Sequence, residues 1–599
     1  MPPKKHGRGG GHGSSSRGGG LQGGRGGSSK QGAKGGGDDQ AEAAQAATIR
    51  RLEAQVDHLR ATVAERDKTI AELRRRGGAK AGSGALCARS GDGPASTPWA
   101  LVAADVFLSH WCDAGLAPYV ELLRLALVCQ SMHKKALECL RLLRRLEFRK
   151  DLLWPLREAE RLEVVLRAVG QMGGRLESLD LSALGKLSDT QSRRLVQGLA
   201  PLKDGQLKEL ILPGIKPFKA VTKLLSTLSS LQRLDLSKNM LGDDGAIELA
   251  KCLGDLVGLR HLDLGGKNNI GGDGCRVLAA KFASIPSLEE LLLPNNHMGE
   301  TGGDFLSRSL HDMTALQVLD LTSNPIVSIG KNGSQGLGEA LGSLSSLHTL
   351  RLANTSLVGE RLNALLLRGF MAKVPASGGQ LLRLSMQRNG FHTEGCAALA
   401  KVLPCLPQLQ ELDVSDNDIS PEGMKVLTPA LMHMPLRDLK VAENDLGPEG
   451  ARLLANVLSS LPELSYLDLT DNVIRQGIAD LVSADLPPTL THLSLACNQI
   501  DDKGLQAIGT VLHKLPVLKH LQLEENEISD EGIAKFAEHL TDAKALVCLN
   551  LIRNRIGDLG CRDLLKPVSQ MPSFQKLLLG ENKIGEVGYE PMTLIATCI

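Results

Sequence analysis

Leu464-Ser-Tyr-Leu467-Asp-Leu469-Thr-Asp-Asn472-Val-Ile474 is the stretch that decides how this chain folds. Leucine stands at the first, fourth and sixth places, asparagine at the ninth and an aliphatic residue at the eleventh. The phrase opens at Leu176, Leu207, Leu231, Leu259, Leu288, Leu316, Leu347, Leu381, Leu409, Leu436, Leu464, Leu490, Leu518, Leu546 and Phe574. From Leu490 to Phe574 each step is 28 residues. A unit this short cannot bury its own apolar face, so successive copies must stack.

The residue types of one copy predict its parts. In Leu518-Lys-His-Leu521-Gln-Leu523 the leucines alternate inward along a short strand, while His520 and Gln522 face out. Asn526 is placed to satisfy turn backbone that stacking buries, and Ile528 closes the core beside it. Gly532 marks the entry to a helix whose apolar face is Ile533, Phe536, Ala537 and Leu540.

The pattern resembles the ribonuclease-inhibitor class of leucine-rich repeats over roughly residues 176–590. The resemblance implies an α/β fold, a leucine-rich-repeat solenoid shaped as a horseshoe, with a parallel β-sheet on the concave side and α-helices on the convex side. Residues 176–599 are assigned to it. Two places depart from the pattern. Leu210-Ile-Leu212-Pro-Gly-Ile-Lys-Pro217 has prolines and no asparagine, and the stretch 316–380 is longer per repeat, with Val327–Gly336 expected as an inserted loop and Thr355 in place of Asn.

The chain has 599 residues, more than one compact core holds, and only 3% are aromatic, so the core is aliphatic. A formal charge of +2 gives no global bias toward nucleic acid or membrane. The 12 cysteines are scattered singly without a C-x-x-C pair, and the start Met1-Pro-Pro-Lys-Lys-His lacks a signal-peptide run. Reduced, core-filling cysteines in an intracellular protein are expected, in the cytoplasm first, with the nucleus open through Lys4-Lys5. No apolar run approaches the ~20 residues that span a bilayer.

Residues 1–41 form a Gly/Arg/Ser-rich tail expected to be disordered. Arg-Gly-Gly at Arg8 and Arg25 leaves RNA contact open beside a plain solvated tail, though no aromatic residue interleaves it. Residues 42–76 are read as a coiled coil with core positions Ile49, Leu52, Val56, Leu59, Val63, Ile70 and Leu73, and with Arg66 at one d place. β-branched a positions with Leu at d favour a parallel homodimer, and one amphipathic helix packing on a partner or on its own protein is the alternative. Residues 77–96 are a flexible linker.

Residues 97–175 are expected to be helical and to cap the array, with 141–175 leading as helix into the first strand. Within them, Leu122-Leu-Arg-Leu-Ala-Leu127-Val128-Cys129-Gln-Ser-Met132 resembles the end of an F-box, with Met132 where that family places Trp. The resemblance implies a Skp-type adaptor as partner and a substrate-recognition role in a cullin ubiquitin ligase; a cap for the repeats is the alternative.

Between the core leucines, the outward strand places carry Asp180, Asp235, Asp263, Asp320, Asp413 and Asp468, varied by Arg351 and Lys440. Past the strands, Asp416, Asp418, Glu443, Asp445, Asp471, Glu524, Glu525 and Glu527 gather in repeats nine to thirteen. Stacking sets equivalent places about 5 Å apart, so a contiguous acidic strip is expected, suited to a basic protein partner. Turn chemistry, which favours Asp and Asn at such places, is the alternative. Protein binding without catalysis or cofactor is the function expected. No G-x-x-x-x-G-K-[ST] loop is present. His261, His492 and His520 are expected to lie far apart and to hold no metal. The array is also similar to the Ran GTPase-activating proteins, which implies a small GTPase as a further alternative partner; the early loop Ser182–Asp189 lacks the arginine that family carries there.

Overall fold

The computed structural model of the chain describes residues 145–147, 158–172, 175–202, 206–212, 214–215, 218–326, 331–371 and 380–585. The arm, the coiled-coil positions and the F-box-like run lie outside the described residues. A 16-stranded parallel sheet runs in sequence order from Arg145–Glu147 to Lys576–Leu578, with helices packed against it on the return path of each repeat. This is a leucine-rich-repeat solenoid. From Ser178–Asp180 onward, every strand begins two residues after one of the repeat openings.

The sheet begins one strand earlier than the helical periodicity of 141–175 leads one to expect. Arg145–Glu147 pairs with Ser178–Asp180 in register. Its sequence, Leu143-Arg-Arg-Leu146-Glu-Phe148, is a worn copy of the repeat phrase, with Phe in the sixth place. The helix Glu158–Met172 follows it.

Leucine spacing makes the strands, and polar residues end them. Leu464, Leu467, Leu469 and Ile474 are all fully buried, while Tyr466 and Asp468 between them are half-buried. Asp468 Oδ1 then accepts the Thr470 N–H at 3.0 Å, turning the chain out of the sheet. Asp180, Asp235, Asp263, Asp320 and Asp413 accept from Ser182, Ser237, Gly265, Thr322 and Ser415 in the same way. At these six strands the third side chain satisfies the turn that follows and helps the chain leave the sheet.

The asparagines join the repeats. Asn472 Nδ2 donates to Val441 O of the preceding repeat at 2.9 Å and to Leu469 O of its own at 3.0 Å. Its Oδ1 accepts the Asn444 and Leu446 N–H groups at 3.1 and 3.4 Å. Asn389, Asn417, Asn444, Asn472, Asn498 and Asn526 continue this ladder, each receiving the N–H of the residue at the same place one repeat earlier. Thr355 enters it through its own N–H, donated to Asn389 Oδ1 at 3.0 Å. Stacking buries this turn backbone, and the amide side chain supplies donor and acceptor together.

Helices pack closely on the far side of the sheet. Ile533, Phe536 and Leu540 are fully buried and Ala537 half-buried. A Cβ at Gly477 would stand 2.6 Å from Pro448 Cα, so only glycine lets these backbones meet. Acidic residues at several helix starts clamp the next repeat: Asp530 Oδ1 accepts from Gly557 and Gly560, and Asp502 from Ser529. The expected loop Val327–Gly336 is in large part helical, since Lys331–Ser343 forms one helix. In the longer repeat that follows, the helix Gly359–Leu366 continues into a π-helical turn, Leu367–Met371. Cys252, Cys275, Cys396, Cys548 and Cys561 are buried, and Cys405 and Cys497 half-buried, all as free thiols. Among the described residues no helix is long and apolar enough to cross a membrane.

Candidate protein-binding surface

Side chains at the first and third strand places share the open face of the sheet. On the strands Glu411–Asp413, Asp438–Lys440 and Tyr466–Asp468, the pairing sets Asp413 beside Lys440 and Lys440 beside Asp468. Asp438 sits in the middle of this group. Burial, reinforced by Glu411, Asp413 and Asp468, pushes its carboxyl up to about 6 against the pull of Lys440, whose Nζ stands 3.8 Å away. Asp438 Oδ1 is buried without a hydrogen-bond partner. Glu524 is a second half-buried carboxylate raised by desolvation, then by Asp468 and Glu525.

Next to this group stands a stack of rings. Tyr466 lies on His492 with centroids 5.4 Å apart, His492 lies on His520 at 4.3 Å, and Lys440 Nζ sits 5.2 Å from the Tyr466 centroid. His492 and His520 are neighbours, contrary to the expectation that they lie far apart. Leu490 and Leu518 open consecutive repeats, so the same offset of two places them on adjacent strands. Desolvation, then His520 and Lys519, lower the pKa of His492, which favours the neutral ring. His261 is distant on the sheet and buried, its Nδ1 bonded to Glu290. Among the described residues no group of three or more His, Cys, Asp or Glu could hold a metal ion.

The loop rim beyond the strands divides the acidic residues into two sets. Asp416, Glu443, Asp471, Glu525 and Glu581 occupy one place in their repeats and all have φ between 51° and 55°. Left-handed backbone at this place suits Asp and Asn better than Glu, so turn chemistry accounts for the aspartates more readily than for Glu443 and Glu525. Asp416, Asp418, Glu443, Asp445 and Asp471 fall on three successive repeats. Glu525 and Glu527 are separated from them by the repeat that carries Cys497 and Gln499 at those places.

Pairing divides them further. Arg553 holds Glu525 at 2.6 Å and Glu581 at 2.7 Å, and Arg555 holds Glu527 at 3.3 Å. Arg388 holds Asp416 at 2.8 Å, and His392 stands 3.8 Å from Asp418. Glu443, Asp445 and Asp471 are exposed and have no ion pair among the described residues. The strand aspartates Asp413 and Asp468 each spend one oxygen on the following turn. Arg388 and Arg553 stand at the same offset in their repeats as Asp416 and Glu525.

The family pattern described as "Leucine Rich repeat" matches residues 227–250, 406–427, 433–455, 487–509 and 514–537. Tonsoku-like protein of Bos taurus is 30% identical over 248 residues, covering 36% of this chain and 18% of that protein. Ribonuclease inhibitor of Mus musculus is 30% identical over 224 residues, covering 37% of this chain and 45% of the inhibitor. The inhibitor of Sus scrofa is 28% identical over 296 residues, covering 48% of this chain and 63% of its own length. The matches thus span less than two thirds of each of these relatives. Repeat phrase, parallel sheet and asparagine ladder agree with these matches: the chain folds as a leucine-rich-repeat solenoid and is similar to the ribonuclease inhibitors.

Proposed function

We propose that this solenoid is a binding scaffold whose open sheet face and rim, over the repeats opening at Leu409, Leu436 and Leu464, take a basic segment of a protein partner. The observation that carries this is the set Glu443, Asp445 and Asp471, exposed and without an ion pair among the described residues, in an array where Asp416, Glu525, Glu527 and Glu581 are held by arginine and Asp418 stands near His392. Like charges held side by side without counter-charge raise the free energy of the isolated surface and are relieved by a cationic partner. Tyr466 and the two imidazoles supply ring area beside them, the kind of group that anchors an interface. Asp413, Asp468 and Glu524 extend the acidic surface onto the strands.

The test is a charge reversal, Glu443→Lys, Asp445→Lys and Asp471→Lys together, in the full chain. Partners isolated with the unaltered chain are titrated against both proteins. Basic partners are expected to lose at least about tenfold in affinity, mainly at low salt. If every partner binds the reversed chain as before, the rim reading fails. In the same reading the segment 42–76 pairs two chains and presents two such surfaces; an unchanged mass on its removal would exclude that pairing.

A further inference from the structure

The second repeat is short, 24 residues from Leu207 to Leu231, and has no asparagine. Its helix, Lys219–Leu225, is correspondingly only 7 residues long. The helix before it, Asp189–Gly198, is closed at its start by a capping box between Ser188 and Gln191. Elsewhere successive helices meet closely enough that a Cβ at Gly338, in Lys331–Ser343, would lie 2.7 Å from Leu365 O, in Gly359–Leu366. Between these two helices there is instead a groove of about 550 Å³.

The groove has an apolar floor and a cationic rim. Val196, Ala220 and Leu224 line the floor, and Arg193, Lys219 and Lys223 line the edge, with no carboxylate among the described lining residues. All three cations are exposed, and none makes an ion pair among the described residues. Several cations on other helices of the array are neutralised locally, Lys251 by Glu248 at 2.5 Å, Arg308 by Asp304 at 2.7 Å, Arg452 by Glu449 at 2.5 Å and Lys535 by Glu531 at 3.1 Å, whereas here three unpaired cations line one groove. Even Arg194, next to Arg193, is paired with Glu163.

We infer that this groove docks an acidic amphipathic helix of a protein partner. Its apolar stripe covers Val196, Ala220 and Leu224, and carboxylates along its flanks meet Arg193, Lys219 and Lys223. The volume accommodates the apolar side chains of about two helical turns, the usual content of a helix-in-groove contact. Charge complementarity selects the sign of the partner. The apolar floor selects a peptide over a nucleic acid, which makes no use of it. This site lies on the helix side of the first two repeats and is independent of the acidic rim.

The experiment uses the full chain and a fluorescein-labelled 18-residue helical peptide with leucines along one face and glutamates flanking them. Controls are the same peptide with Glu→Lys, the same peptide with Leu→Ser, a 20-nucleotide single-stranded DNA and phosphatidylserine vesicles. Anisotropy is expected to show saturable binding of the acidic peptide only. The triple variant Arg193→Glu, Lys219→Glu, Lys223→Glu and the Leu→Ser peptide are each expected to weaken it at least about tenfold, while the rim reversal at Glu443, Asp445 and Asp471 leaves it within twofold. Absent binding, a change below twofold for either the triple variant or the serine peptide, or tighter binding of DNA or vesicles through the same three cations overturns the inference.

Discussion

Replacing Asn472 by alanine is expected to destabilise the array through two backbone amides in the repeat before it. The carbonyls that Asn472 serves each keep another donor: Val441 O keeps Asn444 Nδ2 at 3.0 Å, Leu469 O keeps Asn498 Nδ2 at 2.8 Å, and Thr470 O keeps the Glu443 N–H at 2.8 Å. The N–H groups of Asn444 and Leu446 have no such reserve, because both point at Asn472 Oδ1. A buried donor left unpaired costs about 1–3 kcal/mol, so the two together cost on the order of 2–6 kcal/mol.

Asn554 provides the internal comparison. Its Nδ2 makes the same three donations, but its Oδ1 accepts one N–H, that of Ile528 at 3.1 Å. Asn554→Ala is therefore expected to cost about half as much, roughly 1–3 kcal/mol. Urea unfolding gives the difference, and hydrogen exchange reports the site, since repeat arrays open locally. In Asn472→Ala the amides of Asn444 and Leu446 should exchange faster than those of distant repeats. Equal losses in the two variants, or unchanged exchange at those amides, would refute the donor-counting argument.

Further outcomes follow from single positions. Asp438 has its carboxyl raised to about 6, above its unfolded value of 3.8, so the folded chain binds this proton more readily. The contribution is whole below about pH 4, is lost as pH rises toward 6, and is absent at pH 7. Asp438→Asn should thus stabilise at pH 7 by about 1 kcal/mol, a figure already reduced for partial solvent screening, and change little at pH 4; equal effects at both pH values would argue against it. Gly477→Ala forces a Cβ against the Pro448 backbone and should lose about 1–3 kcal/mol, whereas Gly170→Ala, in a helix with open space around it, should gain about 0.5–1 kcal/mol by thermal unfolding. Burial pushes the thiols of Cys252, Cys275 and Cys396 up to about 12, so they should resist alkylation at pH 8 until the chain unfolds; mass mapping of labelled peptides checks this.

The sequence by itself determined the scaffold. Leu464, Leu467, Leu469, Asn472 and Ile474 specify strand, turn and core because their spacing matches a local period, and each copy repeats the same constraint. That made the strand starts legible to the residue. The degenerate copy at Arg145–Glu147 escaped because a Leu/Arg/Glu-rich run fits a helix as well as a strand, and only pairing with Ser178–Asp180 decides between them. The helical state of Lys331–Gly336 escaped for a related reason, since Gly and Ser there favour a loop until packing in the array overrides propensity.

The surface divides along the same line. Which residues face outward follows from the period of two along each strand, and so Asp413, Asp468, Glu443 and Asp471 could be named from their positions. Which of them remain free did not follow. Arg553 reaches Glu525 in the repeat before and Glu581 in the repeat after, and His492 meets His520 across a strand pair. Those are contacts between residues 28 apart in the chain, and side-chain reach across stacked repeats sets them. Charge identity is a property of the residue; charge neutralisation and ring stacking are properties of neighbours, which only the stacked structure brings together.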